Sequence, residues 1–401
     1  MNMVDVSRLF TPFSMGDGIE LDNRFVLSPM VTNSSSKEGY VSQDDLAYAK
    51  RRAAAAPFQI TGAAYVNPYG QLFEFGFSVA KDEDILGLSQ LAQAMKAEGA
   101  TAILQLTHAG RFSSHTLARE GFVYGPSPMQ LQSPFPHEVK ALTVEQIKAI
   151  VEDYRQATRR AIAAGFDGVE VSSAQRLLIQ TFFSTFSNQR ADDYGGQDFP
   201  SRARLTLEVL EAVQEVIDSK ANRPFLLGFR ATPEETRGHQ IGYSIEEFLQ
   251  LLEEAMERVP LAYLAIASWG HDVFRNRVRS SGQYQGRLVN EVIYQHWKGR
   301  LPIMATGGVN SPEKAVEALA HADLVGASTP FIVDPEFVQK IRDNRSQDIH
   351  LKIKATDLLS LAIPQASFKD IVPLMDYGES LPADSRSLFR GLSVNYGEEK
   401  S

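Results

Sequence analysis

The sequence predicts an α/β fold: a (β/α)8 barrel, here an eight-stranded TIM barrel with an N-terminal hairpin, a long insert after the third strand and a C-terminal extension. Three observations carry that expectation. Eight short apolar runs recur along the chain, longer windows with helical spacing separate them, and several runs are apolar almost throughout, as at Ala102–Leu106. Strands covered on both faces read that way, which is the pattern of a parallel sheet with helical crossovers. An open doubly wound sheet is the alternative on pattern alone. No G-x-G-x-x-G turn follows an early run, so a dinucleotide-binding version of it has no support.

The elements follow in order. Residues 8–24 read as a hairpin that plugs the bottom of the barrel. The expected strands are Phe25–Met30, Phe58–Val66, Thr101–Leu106, Gly168–Val171, Pro224–Arg230, Leu261–Ala267, Pro302–Thr306 and Asp323–Ala327. Ile85, Leu88, Leu91, Ala92 and Met95 share one helical face. Thr143 and Gln146 form a capping box ahead of Ile147, Ile150, Val151 and Tyr154, and Ser244 and Glu247 repeat it before Phe248, Leu252 and Met256. Ser311 reads as an N-cap with Pro312 at the first helical position. Residues 107–142 form a Gly-, Pro-, Ser- and His-rich excursion, of a length that is usually functional or disordered. The barrel is expected to occupy residues 1–340, with 1–24 as its cap. Residues 341–401 form an extension, with a helix at Lys352–Ala362, that caps the barrel or meets a second subunit.

Composition narrows the function. The 401 residues are enough to bury a core without staples. There is no cysteine, which removes thiol nucleophiles, disulfides and thiolate-held zinc or iron–sulfur clusters. Forty basic residues against forty-nine acidic ones leave a net charge of −9, against a broad nucleic-acid binder. No apolar run reaches the roughly 18 residues of a membrane span, and Met1–Phe10 shows no secretory leader, so a cytoplasmic protein without a membrane partner is expected. No His/Asp/Glu cluster has metal-ligand spacing, and the hydrolase turn G-x-S-x-G is missing.

Barrel chemistry sits at the C-terminal ends of the strands. Those ends carry Ser28–Thr32, Gly62–Ala64, Gln105–Arg111, Glu170–Gln175, Arg230–Thr232, Ser268–His271, Thr306–Val309 and Gly326–Thr329. Gly307 and Gly308 allow close backbone approach, and Ser328 and Thr329 offer hydroxyls and amides where barrels often hold a phosphate. Gln105 and Arg230 close apolar strands with polar groups suited to a planar heterocycle, or to a structural hydrogen bond or ion pair.

With the segments Leu9–Pro12, Asn23–Met30, Val66–Gly70, Gln105–Arg111, Ser187–Gly196 and Ala305–Gly308 in this order, the chain resembles the Old Yellow Enzyme family, FMN-dependent NADH:flavin oxidoreductases. The resemblance covers roughly residues 8–340. It implies that Ser28, Pro29, Met30 and Val31 line one side of the flavin, Ala63 touches its edge and Gln105 its pyrimidine edge. Arg230 would stabilise the negative charge of reduced flavin, and Gly307, Gly308, Ser328 and Thr329 would hold the phosphate. Asn33, Ser172, Gln175 and His271 fall on the substrate side. The implied cycle is ping-pong, from NADH or NADPH through FMN to an electron-poor small-molecule acceptor such as an activated alkene or a quinone. The resemblance implies a homodimer as a partner arrangement, since dimers are common among similar proteins.

The departures matter as much. Ser172 and Gln175 stand where the family has an imidazole-bearing pair, and Leu177 stands in place of its proton-donating tyrosine. Val31 replaces a flavin hydrogen-bond donor and Thr329 an arginine at the phosphate. Losing an oxyanion donor costs about 3–4 kcal/mol in a barrier; losing a proton donor costs roughly 100- to 10,000-fold when protonation limits. Tyr40, Tyr65 and Tyr69 are candidate substitute donors. His108 and Arg111 either touch substrate or pack the loop, Trp269 belongs to a lid, and the basic run Arg275–Arg279 either meets cofactor phosphates or is a solvated surface. The alternative function is a flavin- or ligand-binding barrel with little turnover, acting as a sensor.

Overall fold

The computed structural model describes residues 4–364, 372, 375 and 378–399. Eight parallel strands close into a barrel: β1 (Phe25–Leu27), β2 (Phe58–Tyr65), β3 (Thr101–Thr107), β4 (Gly168–Ser173), β5 (Leu226–Ala231), β6 (Tyr263–Ile266), β7 (Ile303–Thr306) and β8 (Leu324–Ala327). Each pairs with the next in chain order, and β8 closes on β1. Every expected strand lies at its expected place, displaced by a few residues at most. The strands are buried nearly from end to end because helices cover their outer faces.

Two apolar layers result. The outer one lies between strands and helices, where Ile147, Ile150 and Tyr154 of the helix Val144–Ala164 share one apolar cluster with Leu104, Val169 and Phe229. The capping boxes at Thr143 and Ser244 start their helices as the sequence indicates. The inner layer is small: Val26, Phe58, Ile103, Tyr263, Met304 and Leu324 fill the lower barrel, with Phe58 and Tyr263 edge to face at 5.4 Å. Phe13–Ser14 pairs antiparallel with Glu20–Leu21, and Phe13, Met15, Ile19 and Leu21 pack against that inner layer. The hairpin therefore plugs the N-terminal end, and the other end stays open for chemistry.

Register sets the floor of the open end. Gln105 of β3 lies beside Glu170 of β4, Glu170 beside Gly228 of β5, and Gly228 beside Tyr263 of β6. A Cβ on Gly228 would stand 2.2 Å from the Tyr263 ring. Glycine there lets the phenol cross toward Glu170.

Two expectations need correction. The excursion after β3 is folded: the helix Ser114–Glu120 leads into a three-stranded sheet, Phe122–Gly125, Met129–Leu131 and His137–Ala141, over a small core of Leu117, Val123 and Val139. His137 points inward there and Glu138 outward. The helix expected at Lys352–Ala362 is a single 3-10 turn, Ala355–Asp357; Ala362 takes φ 49°, which is incompatible with helical continuation. The extension's helix is Ala383–Glu399. Leu358, Leu361, Ile363, Leu381 and Phe389 pack with Ile332 and Val333, and Met30 and Val31 at the barrel mouth flank the same cluster. Arg52, almost wholly buried, ties the pieces together by donating to the carbonyls of Phe331, Ile332 and Leu361.

Candidate active site

The C-terminal ends of the strands surround a cavity of about 540 Å³, within the usual range for a small-molecule site. Beyond β1 the chain presents Ser28, Pro29, Met30 and Val31; β2 contributes Ala63 and β3 Gln105. From β4 and its exit come Ser172, Gln175 and Leu177, from β5 Arg230, and beyond β6 Trp269 and His271. Gly307 and Gly308 follow β7, and Ser328 and Thr329 follow β8. The site residues expected from the sequence thus share one surface, with one exception. Asn33 is 2% exposed and lies outside the lining. The Asp45 carboxylate collects the hydroxyls of Thr32, Ser34 and Ser35, and this folds the loop inward with Asn33 at φ 48°.

The sequence left the extension as a barrel cap or a subunit contact and named none of its residues in the site. Met375, Gly378 and Ser380 of the extension line the cavity, as do Phe73 and Phe112 from the loops after β2 and β3. Asn310 Nδ2 holds the extension by donating to the Ser380 carbonyl at 3.0 Å.

Beneath the cavity, Glu170 is fully buried. Its carboxylate accepts from Arg230 Nε at 2.6 Å, Gln105 Nε2 at 2.8 Å and the Tyr263 hydroxyl at 3.0 Å. Burial, then the Glu170 charge, pushes the Tyr263 phenol well above its ordinary pKa, so it stays a donor. With its amino group on Glu170, Gln105 keeps its carbonyl oxygen as an acceptor. Sequence reading missed Glu170. Its signal was an acid between two valines in a run that had to be covered on both faces, which demands a buried cationic partner.

At the phosphate-like end, Gly307 and Gly308 both take φ 86°, a turn only glycine adopts freely. Among the described residues, no carbonyl takes the amides of Gly307, Gly308 or Ser328, and the buried Ser28 hydroxyl has no partner.

Among the described lining residues, Arg230 and His271 are the only titratable groups. His271 is largely exposed, 3.8 Å from Glu379. The three candidate tyrosines lie elsewhere. Tyr40 sits under the Lys81 ammonium at 4.0 Å, the Tyr65 hydroxyl faces the Glu38 carbonyl at 3.5 Å, and Tyr69 stacks edge to face on Tyr124. His108 and Arg111 are also outside the lining. Burial lowers the His108 imidazole to about 3, and its Nδ1 accepts from the Gly110 amide at 3.1 Å. Burial brings the Arg111 guanidinium down to about 10. Arg275 turns away to Asp272 and Glu317. Among the described residues no group of three or more His, Asp or Glu is placed to hold a metal ion, and no helix is long and apolar enough to cross a membrane.

Comparison with known proteins agrees with this geometry. The sequence model of the NADH:flavin oxidoreductase / NADH oxidase family matches residues 8–348. The chain is 68% identical over 394 residues to an uncharacterized oxidoreductase of Streptococcus pyogenes serotype M5 (strain Manfredo), covering 98% of this chain and 99% of that protein. It is 32% identical over 365 residues to "Probable NADH-dependent flavin oxidoreductase YqiG" of Bacillus subtilis (strain 168), covering 91% and 95%. The structure of morphinone reductase in complex with tetrahydroNAD superposes with a TM-score of 0.70 at 27% identity, over 84% of this chain and 91% of that one. The chain belongs to the NADH:flavin oxidoreductase / NADH oxidase family, and is an FMN-dependent oxidoreductase of the Old Yellow Enzyme type that uses NADH or NADPH as reductant.

Proposed function

We propose that the 540 Å³ cavity seats FMN and serves an electron-poor acceptor that needs no proton from a protein tyrosine, quinones being the class that fits best. The residues present suit the cofactor. The amides of Gly307, Gly308 and Ser328, with the Ser28 hydroxyl, form a set of donors for a phosphate. Thr329 adds a hydroxyl but no charge, so the phosphate is held by neutral donors. Ala63, Pro29 and Met30 give flat apolar surface for the ring, and the Gln105 carbonyl awaits an imide N–H.

Held by these residues, FMN would supply the hydride-transfer chemistry between NADH or NADPH and the acceptor. Arg230 lines the cavity with its Nε and, at 3.5 Å, its Nη2 donating to Glu170, so the guanidinium is pre-oriented and Nη1 is left for a ligand. Ser172 and Gln175 offer neutral donors to an acceptor oxygen. Leu177 shields this side from water and moves no proton.

One observation carries the choice of acceptor: the described lining holds no tyrosine and has no imidazole beyond the exposed His271. A quinone oxygen can take its proton from solvent, whereas the carbon of an alkene needs a placed donor. Anaerobic reduction by NADH and by NADPH, followed by mixing with a quinone or an enone, tests the reading. Quinone reoxidation at least about 100-fold faster than enone reoxidation is expected; comparable rates would overturn the acceptor class. A binding barrel without turnover would stay yellow with both reductants.

A further inference from the structure

A second chamber, of about 190 Å³, opens beside the first, and Gln175, Ser268, Trp269 and Val273 belong to both walls. Its far side is cationic. Arg176, Arg277 and Arg279 line it together with Glu234 and Glu235. The Glu234 carboxylate is turned onto the loop, where it accepts from the amides of Arg279 at 2.8 Å and Ser280 at 3.0 Å. The buried Glu235 carboxylate is shared between Arg176, at 3.7 Å, and Arg237, at 3.3 Å. With Arg237 behind Glu235, four guanidiniums stand against the two carboxylates. This is a positive recess on a chain whose net charge is −9.

The backbone gives a second, independent sign. Gln175 and Arg176 both sit at positive φ, 55° and 64°, a region that side chains of this kind avoid. Thr232 Oγ1 holds the Gln175 amide at 3.1 Å and Gln180 Oε1 holds the Arg176 amide at 2.6 Å. Glycine would adopt this turn without cost. An arginine held in this conformation at the partition between the chambers is the kind of outlier that clusters at ligand sites.

We propose that this side chamber seats the diphosphate of the nicotinamide donor, with Arg176 as its principal contact. The proposal rests on the reading that the main cavity holds FMN and takes hydride from NADH or NADPH. A ring reaching into the main cavity trails its diphosphate one ribose away, and the side chamber shares a wall with that cavity. Guanidiniums recognise phosphate oxygens in pairs. The quinone-type acceptors carry no such anion, which favours the donor as the ligand.

The test uses flavin-loaded protein and three reductants: NADH, NADPH and 1-benzyl-1,4-dihydronicotinamide, which keeps the ring and lacks phosphate. Arg176→Gly, which removes the charge and accepts the turn, should raise the half-saturating NADH and NADPH at least tenfold. The limiting rate of flavin reduction and the response to the benzyl donor should stay within twofold. Arg176→Lys should recover part of the loss. Inorganic pyrophosphate, titrated calorimetrically, should bind the parent protein and bind Arg176→Gly at least tenfold more weakly. Equal losses with all three reductants, no loss with any, a change confined to the acceptor step, or no pyrophosphate binding by the parent would each overturn the proposal. Protein that takes up no FMN fails the underlying reading, and the donor assignment with it. Flavin-loaded protein whose NADH reduction is indifferent to Arg176 fails this proposal alone.

Discussion

Arg230 and Glu170 form an ion pair in the barrel interior, Nε to Oε1 at 2.6 Å, with Glu170 wholly buried and Arg230 6% exposed. The pair is closed by Gln105 and Tyr263, so the Glu170 oxygens are satisfied from three strands. The charge that Arg230 offers the cavity is therefore partly offset from below, and its orientation is fixed before any ligand arrives.

Replacing Glu170 by Gln should leave Arg230 with a neutral partner. The extra net positive charge should raise the flavin midpoint potential by on the order of tens of millivolts. Spectroelectrochemical titration reads this; an unchanged potential would show that the pair is purely structural. Glu170→Ala should cost about 3–5 kcal/mol of stability, because it strands a buried guanidinium, and a denaturant melt measures it.

Leu177→Tyr should return a phenol to the lining. Enone turnover should rise by roughly 100-fold or more where protonation limits, while quinone turnover changes little. Steady-state rates with both acceptors decide it, and parallel gains would rule out a protonation effect.

Val31→Thr should place a hydroxyl on the cavity side and make reduced flavin easier to form. The midpoint potential should rise, at a stability cost of about 1 kcal/mol from the apolar cluster that Val31 flanks. A potential that falls or stays level would remove Val31 from the list of residues tuning the cofactor.

His108 is neutral in the folded protein, its pKa lowered by burial to about 3 from an unfolded value of 6.5. The unfolded chain therefore binds the extra proton first. The stability held by the neutral imidazole is complete above 6.5 and is lost as pH falls toward 3, at up to about 1.4 kcal/mol per pH unit. His108→Asn, which can still accept from the Gly110 amide, should flatten that part of the stability profile. Chemical denaturation at pH 4 and pH 7 measures it, and an identical slope in the variant would assign acid sensitivity to other groups.

The barrel was legible because its strands are short, apolar and spaced by capped helices, signals that lie within a dozen residues of one another. The lining was legible for the same reason: Ser28, Gln105, Arg230 and Gly307 each stand at the end of such a strand. What escaped needed pairing across the chain. The partnership of Glu170 with Arg230 spans two strands, and the approach of Met375 and Ser380 to the cavity spans the whole fold. Neither leaves a periodic trace. The sheet within the excursion was closer to hand, since His137, Val139 and Ala141 alternate with Glu138 and Lys140. The Pro and Gly content of the segment hid a strand that short. Asn33 was misplaced because nothing local announces that Asp45, twelve residues further on, gathers the surrounding hydroxyls.

Met375, Gly378 and Ser380 complete a cavity whose opposite side begins at Ser28. A ribosome that has just finished β8 has made every stave but not the last wall. A chain stopped there lacks that wall, and it is expected to emerge paler than the full-length protein.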